Sequence, residues 1–410
     1  MPGLVLHGSL TSMKVAFTSD VYWPRINGVT VSTNIFLNEL TKLDHEIRLW
    51  APDYPVAEDQ KKLYHTDPRV HRLGSFGLFF SKEDRLVAPF QKGRFYRELD
   101  AFAPRLLHIQ TEFRLSWLAI PYAKKRHLPV VQTCHTYFEQ YINFYMPFLP
   151  QELAKKFARN MTYQWFKHAD AVITPTEPMK AVLQSYGLTC PITVVPTGIP
   201  EEDFQGVDKA AERRESRWLL QFPQIRGKKI MLYVGRIGQE KNVDFLLDVV
   251  ERVKRTVPNT CLILAGNGPY LETFKANAAA RGLGDSMLCL GYVNRAELKY
   301  LYALADVFSF ASVTETQGLV TIEAMMCGTP VVAVGKMGTK EVMAGDHGGY
   351  MVDEDPEAFS AAVVKLFTDP ALYEAKSAEA KAYAHHWTAA KMALKVEALY
   401  EQVLRDYKPR

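Results

Sequence analysis

From Met13 onward, short aliphatic or β-branched runs alternate with longer stretches of helical periodicity, and the alternation starts afresh midway along the chain. No other feature narrows the fold as far. A strand that leads into a helix and then into another strand builds a parallel sheet with helices packed on its faces. In the first half, Lys14–Thr18, Ile47–Ala51, Leu106–Ile109, Val130–Thr133, Ala171–Thr174 and Thr193–Val195 read as strands. Residues 29–43 read as a helix that places Ile35, Phe36, Leu40 and Leu43 near one face. In the second half the strands are Ile230–Val234, Cys261–Ala265, Met287–Leu290, Val307–Phe310 and Val331–Val334. The expected fold class is α/β, with two doubly wound domains.

The pattern breaks at Val195-Pro196-Thr197-Gly198-Ile199-Pro200, where two prolines and a glycine interrupt it. The expected domains are residues 13–195 and 196–387. Beyond them, Thr388 can cap a helix over 388–407 whose Met392, Val396, Leu399, Tyr400, Val403 and Tyr407 recur at three- and four-residue steps. That face needs an apolar partner, taken to be the first domain. Residues 1–12 have the composition of a tag or an unstructured extension. Ligands of open α/β sheets bind beyond the carboxyl ends of the strands, so the two domains are expected to face one another across a single cleft. Motifs directly after strands therefore carry most weight.

A length of 410 residues exceeds what one compact core accommodates, and 48% hydrophobic with 23% charged residues is the balance of an ordinary globular protein. No apolar run approaches the ~20 residues of a spanning helix, and the first residues lack the apolar stretch of a secretory signal, so a cytoplasmic protein is expected. Five cysteines (Cys134, Cys190, Cys261, Cys289, Cys327), without a C-x-x-C pair, point to neither a disulfide framework nor a zinc site. The net charge of +4 is unevenly spread. Residues 1–195 carry 23 Lys+Arg against 17 Asp+Glu, and eight of the eleven histidines. This basic half could meet an anionic membrane surface or an anionic acceptor, or simply be a solvated face. No nucleic-acid partner is expected.

Three strings follow strands in the second half. In Val234-Gly235-Arg236-Ile237-Gly238-Gln239-Glu240-Lys241-Asn242, glycines permit close backbone approach, and two cations beside a helix start favour an anion such as a diphosphate. Ala265-Gly266-Asn267-Gly268-Pro269 could approach a base or ribose, although a plain strand-to-helix turn explains it as well. It lacks the third glycine and the distant acid of a dinucleotide fingerprint, which disfavours a nicotinamide oxidoreductase. The third string, from Ser312 through Glu315-Thr316-Gln317-Gly318-Leu319 to Glu323, sets one carboxylate on a loop and a second two turns into a helix. Carboxylates bind sugar and ribose hydroxyls through charge-assisted hydrogen bonds, and the amides at the helix start suit phosphate or sugar oxygens.

This string resembles the E-x7-E region of the retaining glycosyltransferases of family 4, and the resemblance extends over nearly the whole chain from Met13. It implies the GT-B fold, two Rossmann-like doubly wound domains facing across a cleft, and a nucleotide-sugar donor. By position it implies Arg236 and Lys241 as the diphosphate clamp, Glu323 as the ribose ligand, and Glu315 with the following amides as the contact to the donor sugar. Gly28 would match a glycine-rich approach to the phosphates, although this chain has Asn27-Gly28-Val29 in place of a double glycine. His135, in Thr133-Cys134-His135-Thr136-Tyr137, would match a histidine near the transferred sugar. Tyr137 joins it on the acceptor side. Gln110-Thr111-Glu112-Phe113 and Arg85-Leu86-Val87-Ala88-Pro89 look similar to the branch that glucosylates diacylglycerol, so Arg85 and Glu112 are further acceptor-side candidates.

The implied chemistry needs no metal and no cofactor. Negative charge growing on the departing diphosphate would be met by Arg236, Lys241 and helix amides, and the leaving phosphate would take the acceptor proton. Asp353-Glu354-Asp355 imitates a metal-binding D-x-D, but Asp355 before Pro356 reads as a helix cap. The expected activity is transfer of a hexose, glucose from UDP-glucose, to a lipid such as diacylglycerol, with a peripheral position at the inner face of the membrane as the matching location. The alternatives are a soluble sugar or glycoconjugate acceptor with a GDP- or UDP-sugar, a nucleotide-sugar epimerase, or a sensor without turnover. Basic, aromatic-flanked segments at 122–127 and 155–167 are the candidate membrane face.

Overall fold

The computed structural model describes residues 12–25, 27–56, 67–78, 81–139, 150–315 and 317–409. The expectation for residues 1–12 therefore falls almost wholly outside them. The chain forms two compact units, one running to Val195 and taking in Met392–Arg410, the other spanning Pro196–Lys391.

The first unit contains β1 (Lys14–Thr18), β2 (Glu46–Pro52), β3 (Val70–Leu73), β4 (Ser75–Leu78), β5 (Ser81–Val87), β6 (Leu106–Ile109), β7 (Val130–Thr133), β8 (Ala171–Thr174) and β9 (Ile192–Val194). Seven of them form one sheet in the order β3-β2-β1-β6-β7-β8-β9, with every pairing parallel. β4 and β5 form a separate antiparallel hairpin. β6, β7 and β8 are buried along their length, because helices cover both faces of such a sheet.

The second unit contains β10 (Lys229–Val234), β11 (Thr260–Ala265), β12 (Met287–Gly291), β13 (Val307–Phe310), β14 (Val331–Val334) and β15 (Gly349–Val352), in the order β12-β11-β10-β13-β14-β15. In both sheets the strand order reverses beside the first strand, between β1 and β6 and between β10 and β13. Loops leaving those strands splay apart there and open a crevice.

The strands that sequence periodicity passes over lie mostly at edges. β3 and β15 are half-buried edge strands, and β4 with β5 pack as a two-stranded ribbon. β9 begins and ends one residue before the expected run.

The C-terminal helix, Ala389–Asp406, buries Met392, Ala393, Val396, Leu399, Tyr400 and Val403 against Val15, Phe17, Leu106 and Val131. Polar ties fix its register. The Tyr400 hydroxyl lies 2.5 Å from His108 Nδ1, and Nε2 of the same ring reaches Thr133 Oγ1 at 2.7 Å. Burial pushes His108 down to about 3, so the ring is neutral and can take a hydrogen on one side while giving one on the other.

The chain crosses between units at 195/196 and again at 391/392. Within the second unit the segments beside these crossings are hydrogen-bonded together: Ile199 N donates to Trp387 O and Ala389 N to Ile199 O, both at 2.8 Å. Gly198 is required at this seam, since a Cβ there would lie 2.4 Å from Ala389 Cα. No helix among the described residues is long and apolar enough to cross a membrane.

Candidate active site

In the second unit, the crevice beside β10 is lined by the loop that follows it. Gly235 (φ +155°) turns the chain out of the sheet, a 3-10 turn runs over Gln239–Lys241, and the helix Val243–Thr256 starts after Asn242. A second loop packs directly behind the first. A Cβ on Gly266 would sit 1.8 Å from Gly235 O, and one on Gly268 would sit 2.1 Å from Ile237 O. Gly235 N donates to Ala265 O and Ile237 N to Asn267 O, each at 3.0 Å. Gly266, Asn267 and Gly268 therefore buttress the Gly235–Lys241 loop, which agrees with reading that string as a turn.

Across the same reversal point, the loop after β13 brings Glu315 to Lys241, with Nζ 2.6 Å from Oε1 and both side chains mostly covered. The Ser312 hydroxyl lies 3.4 Å from the same oxygen, and Thr314 Oγ1 donates to Glu240 O at 3.3 Å. Arg236 behaves differently. Among the described residues its guanidinium reaches only Glu240, at 3.2 Å, and its 64% exposure lets it turn onto an anion. Gly318 (φ +67°) then starts the helix Leu319–Met326, which has no side-chain cap at its positive end, although Thr321 N already donates to Gly318 O at 3.0 Å. Its left-handed backbone and the Thr339 hydroxyl, 3.2 Å from where a Cβ would lie, explain glycine there.

Glu323 sits on the buried side of that helix. One carboxylate oxygen accepts from Arg295 at 3.0 Å and the other from the Tyr302 hydroxyl at 2.8 Å. Arg295 also pairs with Asp203 at 3.3 Å. Arg295 and Tyr302 fix the carboxylate in place in an apolar setting, and its remaining lone pairs can accept from a diol.

In the first unit, the crevice between β1 and β6 collects buried polar groups. Asp20, just after β1, accepts from Leu115 N at 3.0 and 3.2 Å and from the Thr111 hydroxyl at 2.9 Å, and so caps the helix Arg114–Arg126 from a distance. Burial nevertheless raises Asp20 to about 6. Glu112 is 5% exposed, its Oε1 has no hydrogen-bond partner among the described residues, and burial, with the Asp20 charge adding to it, pushes it up to about 8. It is therefore largely a neutral acid at neutral pH, able to donate as well as accept. His135, after β7, donates from Nε2 to Gln110 Oε1 at 3.1 Å, and burial lowers it to about 4. A neutral ring in this tautomer leaves Nδ1 as an acceptor. Gly28 is the first residue of the helix Gly28–Lys42, capped by Asn27 Oδ1 on Thr30 N at 2.9 Å, with open space where its side chain would be.

A family model described as Glycosyltransferase Family 4 matches residues 26–203, and one described as Glycosyl transferases group 1 matches residues 217–385. The chain belongs to glycosyltransferase family 4. This glycosyltransferase is 29% identical over 326 residues to the alpha-monoglucosyldiacylglycerol synthase of Streptococcus pneumoniae, covering 79% of this chain and 71% of that one. It is 26% identical over 348 residues to a GDP-mannose-dependent alpha-mannosyltransferase of Mycobacterium tuberculosis, with 84% of each chain covered. Among solved structures, HepE of Anabaena in complex with UDP-glucose matches with a TM-score of 0.70 over 95% of this chain and 100% of that one, at 16% identity. The fold is the GT-B architecture of two Rossmann-like halves.

Within the glycosyltransferase, Gly235, Arg236, Lys241, Glu315, Gln317, Gly318 and Leu319 gather at one end of the second sheet, with Glu323 on the helix that starts there. Thr316 lies outside the described residues. Gln317 is expected to contact the donor through its backbone amide, and its side chain is engaged elsewhere. Its side chain is buried and turned onto the Thr197 backbone. Arg85 holds the β4–β5 hairpin, donating to Asp53 O at 3.0 Å and to Ser75 O at 2.8 Å. Tyr137 packs half-buried beside Cys134, Phe166 and Trp165. Asp355 caps the helix Pro356–Thr368 by accepting from Glu357 N and Ala358 N, as read from the sequence. Sequence reasoning missed Asp20, Arg295 and Tyr302. Asp20 was findable as an acid two residues beyond the first strand; Arg295 and Tyr302 carry no local signal, because only folding brings them to Glu323.

Proposed function

We propose that this glycosyltransferase moves glucose from UDP-glucose to a hydroxyl of a diacylglycerol-type membrane lipid, with retention and without a metal ion. The observation that carries the reading is the Lys241–Glu315 pair beside the helix start at Gly318, which carries no side-chain cap. It combines a cation for a diphosphate with a carboxylate and amides for a sugar. Glu323 takes the ribose, and Arg236 folds from Glu240 onto the phosphates when the donor arrives. As the bond from C1 to the diphosphate oxygen breaks, Lys241, Arg236 and the helix amides receive the growing negative charge, which is the work a divalent cation would otherwise do. The acceptor hydroxyl forms the new bond on the same face, and its proton passes to the departing phosphate oxygen. His135, Glu112 and Tyr137 are assigned to the acceptor side.

Glucose and diacylglycerol are favoured by the names of the relatives in Streptococcus pneumoniae and Acholeplasma laidlawii, both alpha-monoglucosyldiacylglycerol synthases. A membrane face is favoured by the helix Gln151–Phe166, on which Leu153 and Phe157, 57% and 46% exposed, flank exposed Lys156. Trp117, 57% exposed, lies on the helix that ends in Lys124, Lys125 and Arg126. Apolar side chains among lysines suit an anionic lipid surface.

Purified protein with labelled UDP-glucose and vesicles of diacylglycerol and anionic phospholipid is expected to yield a labelled lipid in the presence of a chelator. A GDP-mannose relative makes that donor the control. Transfer from GDP-mannose alone would replace the donor assignment, transfer only to a soluble sugar would remove the lipid, and loss of turnover on chelation would remove the metal-free mechanism.

A further inference from the structure

The side chain of Gln317 is 7% exposed and is spent entirely on one residue of the inter-unit linker. Its Oε1 accepts from Thr197 N at 3.0 Å, and its Nε2 donates to Thr197 O at 2.8 Å. A primary amide that engages both the N–H and the C=O of one residue imitates a neighbouring β-strand, and here it stands in for one. The linker has few backbone donors, since Pro196 and Pro200 have none. Ile199 is bonded on one side to Trp387 and Ala389, next to the returning crossing, and Thr197 is bonded to Gln317. Two residues before Gln317 is Glu315, bound to Lys241; the next residue is Gly318, which opens the helix. One short loop thus carries the candidate donor contacts on its two flanks and the linker at its middle.

We infer that Gln317 is a positioning residue that makes the Glu315–Gly318 loop and the Pro196–Pro200 linker one mechanical element, so that productive donor geometry depends on the state of the linker. The inference rests on the donor assignment proposed above. It asks nothing of Gln317 as a ligand contact, because both polar ends of its amide are already occupied.

The test exploits what a carboxyl can imitate. In Gln317→Glu, the protonated acid keeps one acceptor for Thr197 N and one O–H donor for Thr197 O, while the ionised form loses the donor and sets a negative charge against a carbonyl. Burial and that carbonyl raise its pKa above the usual carboxylate range, so the variant switches state within the working pH range. Gln317→Met keeps the bulk and removes both bonds at every pH. With the donor that the wild-type enzyme uses, kcat/KM of Gln317→Glu relative to wild type is expected to be near unity at pH 5.5 and to fall roughly tenfold by pH 8, about the effect of one buried hydrogen bond. Gln317→Met is expected to be lowered by a similar factor at both pH values. A Gln317→Glu ratio that is flat with pH, or a Gln317→Met enzyme within twofold of wild type, overturns the inference while leaving the donor assignment standing. A wild-type enzyme that uses no nucleotide sugar overturns both. Should Gln317→Met fail to fold, Gln317→Glu, which retains the amide's bonding pattern at pH 5.5 and loses it by pH 8, decides the matter by its pH dependence alone.

Discussion

Lys241 and Glu315, 74 positions apart, meet as an ion pair of 2.6 Å at the point where the strand order of the second sheet reverses. Each holds the other in place before any ligand arrives. Lys241→Ala is expected to lower kcat/KM by about 10² to 10³, the usual effect of deleting one preorganised donor to a developing charge. Because the two act as a unit, adding Glu315→Gln should cost far less than the product of the single effects. Steady-state kinetics on the double-mutant cycle check this, and multiplicative losses would count against a shared role.

Glu323 lets folding and binding be separated. Glu323→Ala strands the buried Tyr302 hydroxyl and one face of Arg295, and is expected to cost roughly 2–3 kcal/mol, at the low end for a broken buried pair because Arg295 is partly exposed. Glu323→Gln keeps an acceptor for one of these donors and should melt nearer to wild type, yet bind donor more weakly. Calorimetric titration with UDP-glucose alongside thermal unfolding measures both. Wild-type affinity in Glu323→Gln would remove the ribose assignment.

Two glycines should respond in opposite ways. Gly266→Ala drives a methyl into Gly235 O and should destabilise by about 3 kcal/mol or more, since rigid backbone must move. Gly28→Ala meets nothing within 4 Å at the start of a helix, so stability should hold or rise by about 0.5 kcal/mol. If the phosphates approach that backbone, kcat/KM falls all the same. Full activity in Gly28→Ala would detach this glycine from the donor.

The acid pair in the first unit gives a pH dependence whose sign is fixed. Burial raises Glu112 from 4.5 to about 8, so the folded protein holds that proton more tightly than the unfolded chain. The stability this contributes is complete below about 4.5 and is lost as the pH rises through about 8. Asp20 acts in the same direction, from 3.8 to about 6. Glu112→Gln should therefore gain stability relative to wild type between pH 5 and pH 8.5, by an amount on the order of a few kcal/mol. Urea unfolding at the two pH values tests it; an equal difference at both would mean that Glu112 titrates normally.

Much of the architecture was legible because a strand buried on both faces must be apolar throughout. Val130–Thr133 and Val307–Phe310 have the observed bounds for that reason. Edge strands such as Val70–Leu73 and Gly349–Val352 are wetted on one side, and their composition does not separate them from loops. At the site, glycines and charges just after strands were visible. What each side chain faces was not: nothing local to Gln317 says that its amide is bound to Thr197, and nothing near Glu323 announces Arg295.

The seam of Ile199 with Trp387 and Ala389 has a further consequence for ancestry and engineering. Residues 196–391 begin and end on neighbouring hydrogen-bonded segments, so in topological terms they form a cassette inserted into a host fold whose chain resumes after it with one helix. Such a cassette can be exchanged through two cuts made side by side, and a related transferase's donor half could be grafted here without lengthening either connection.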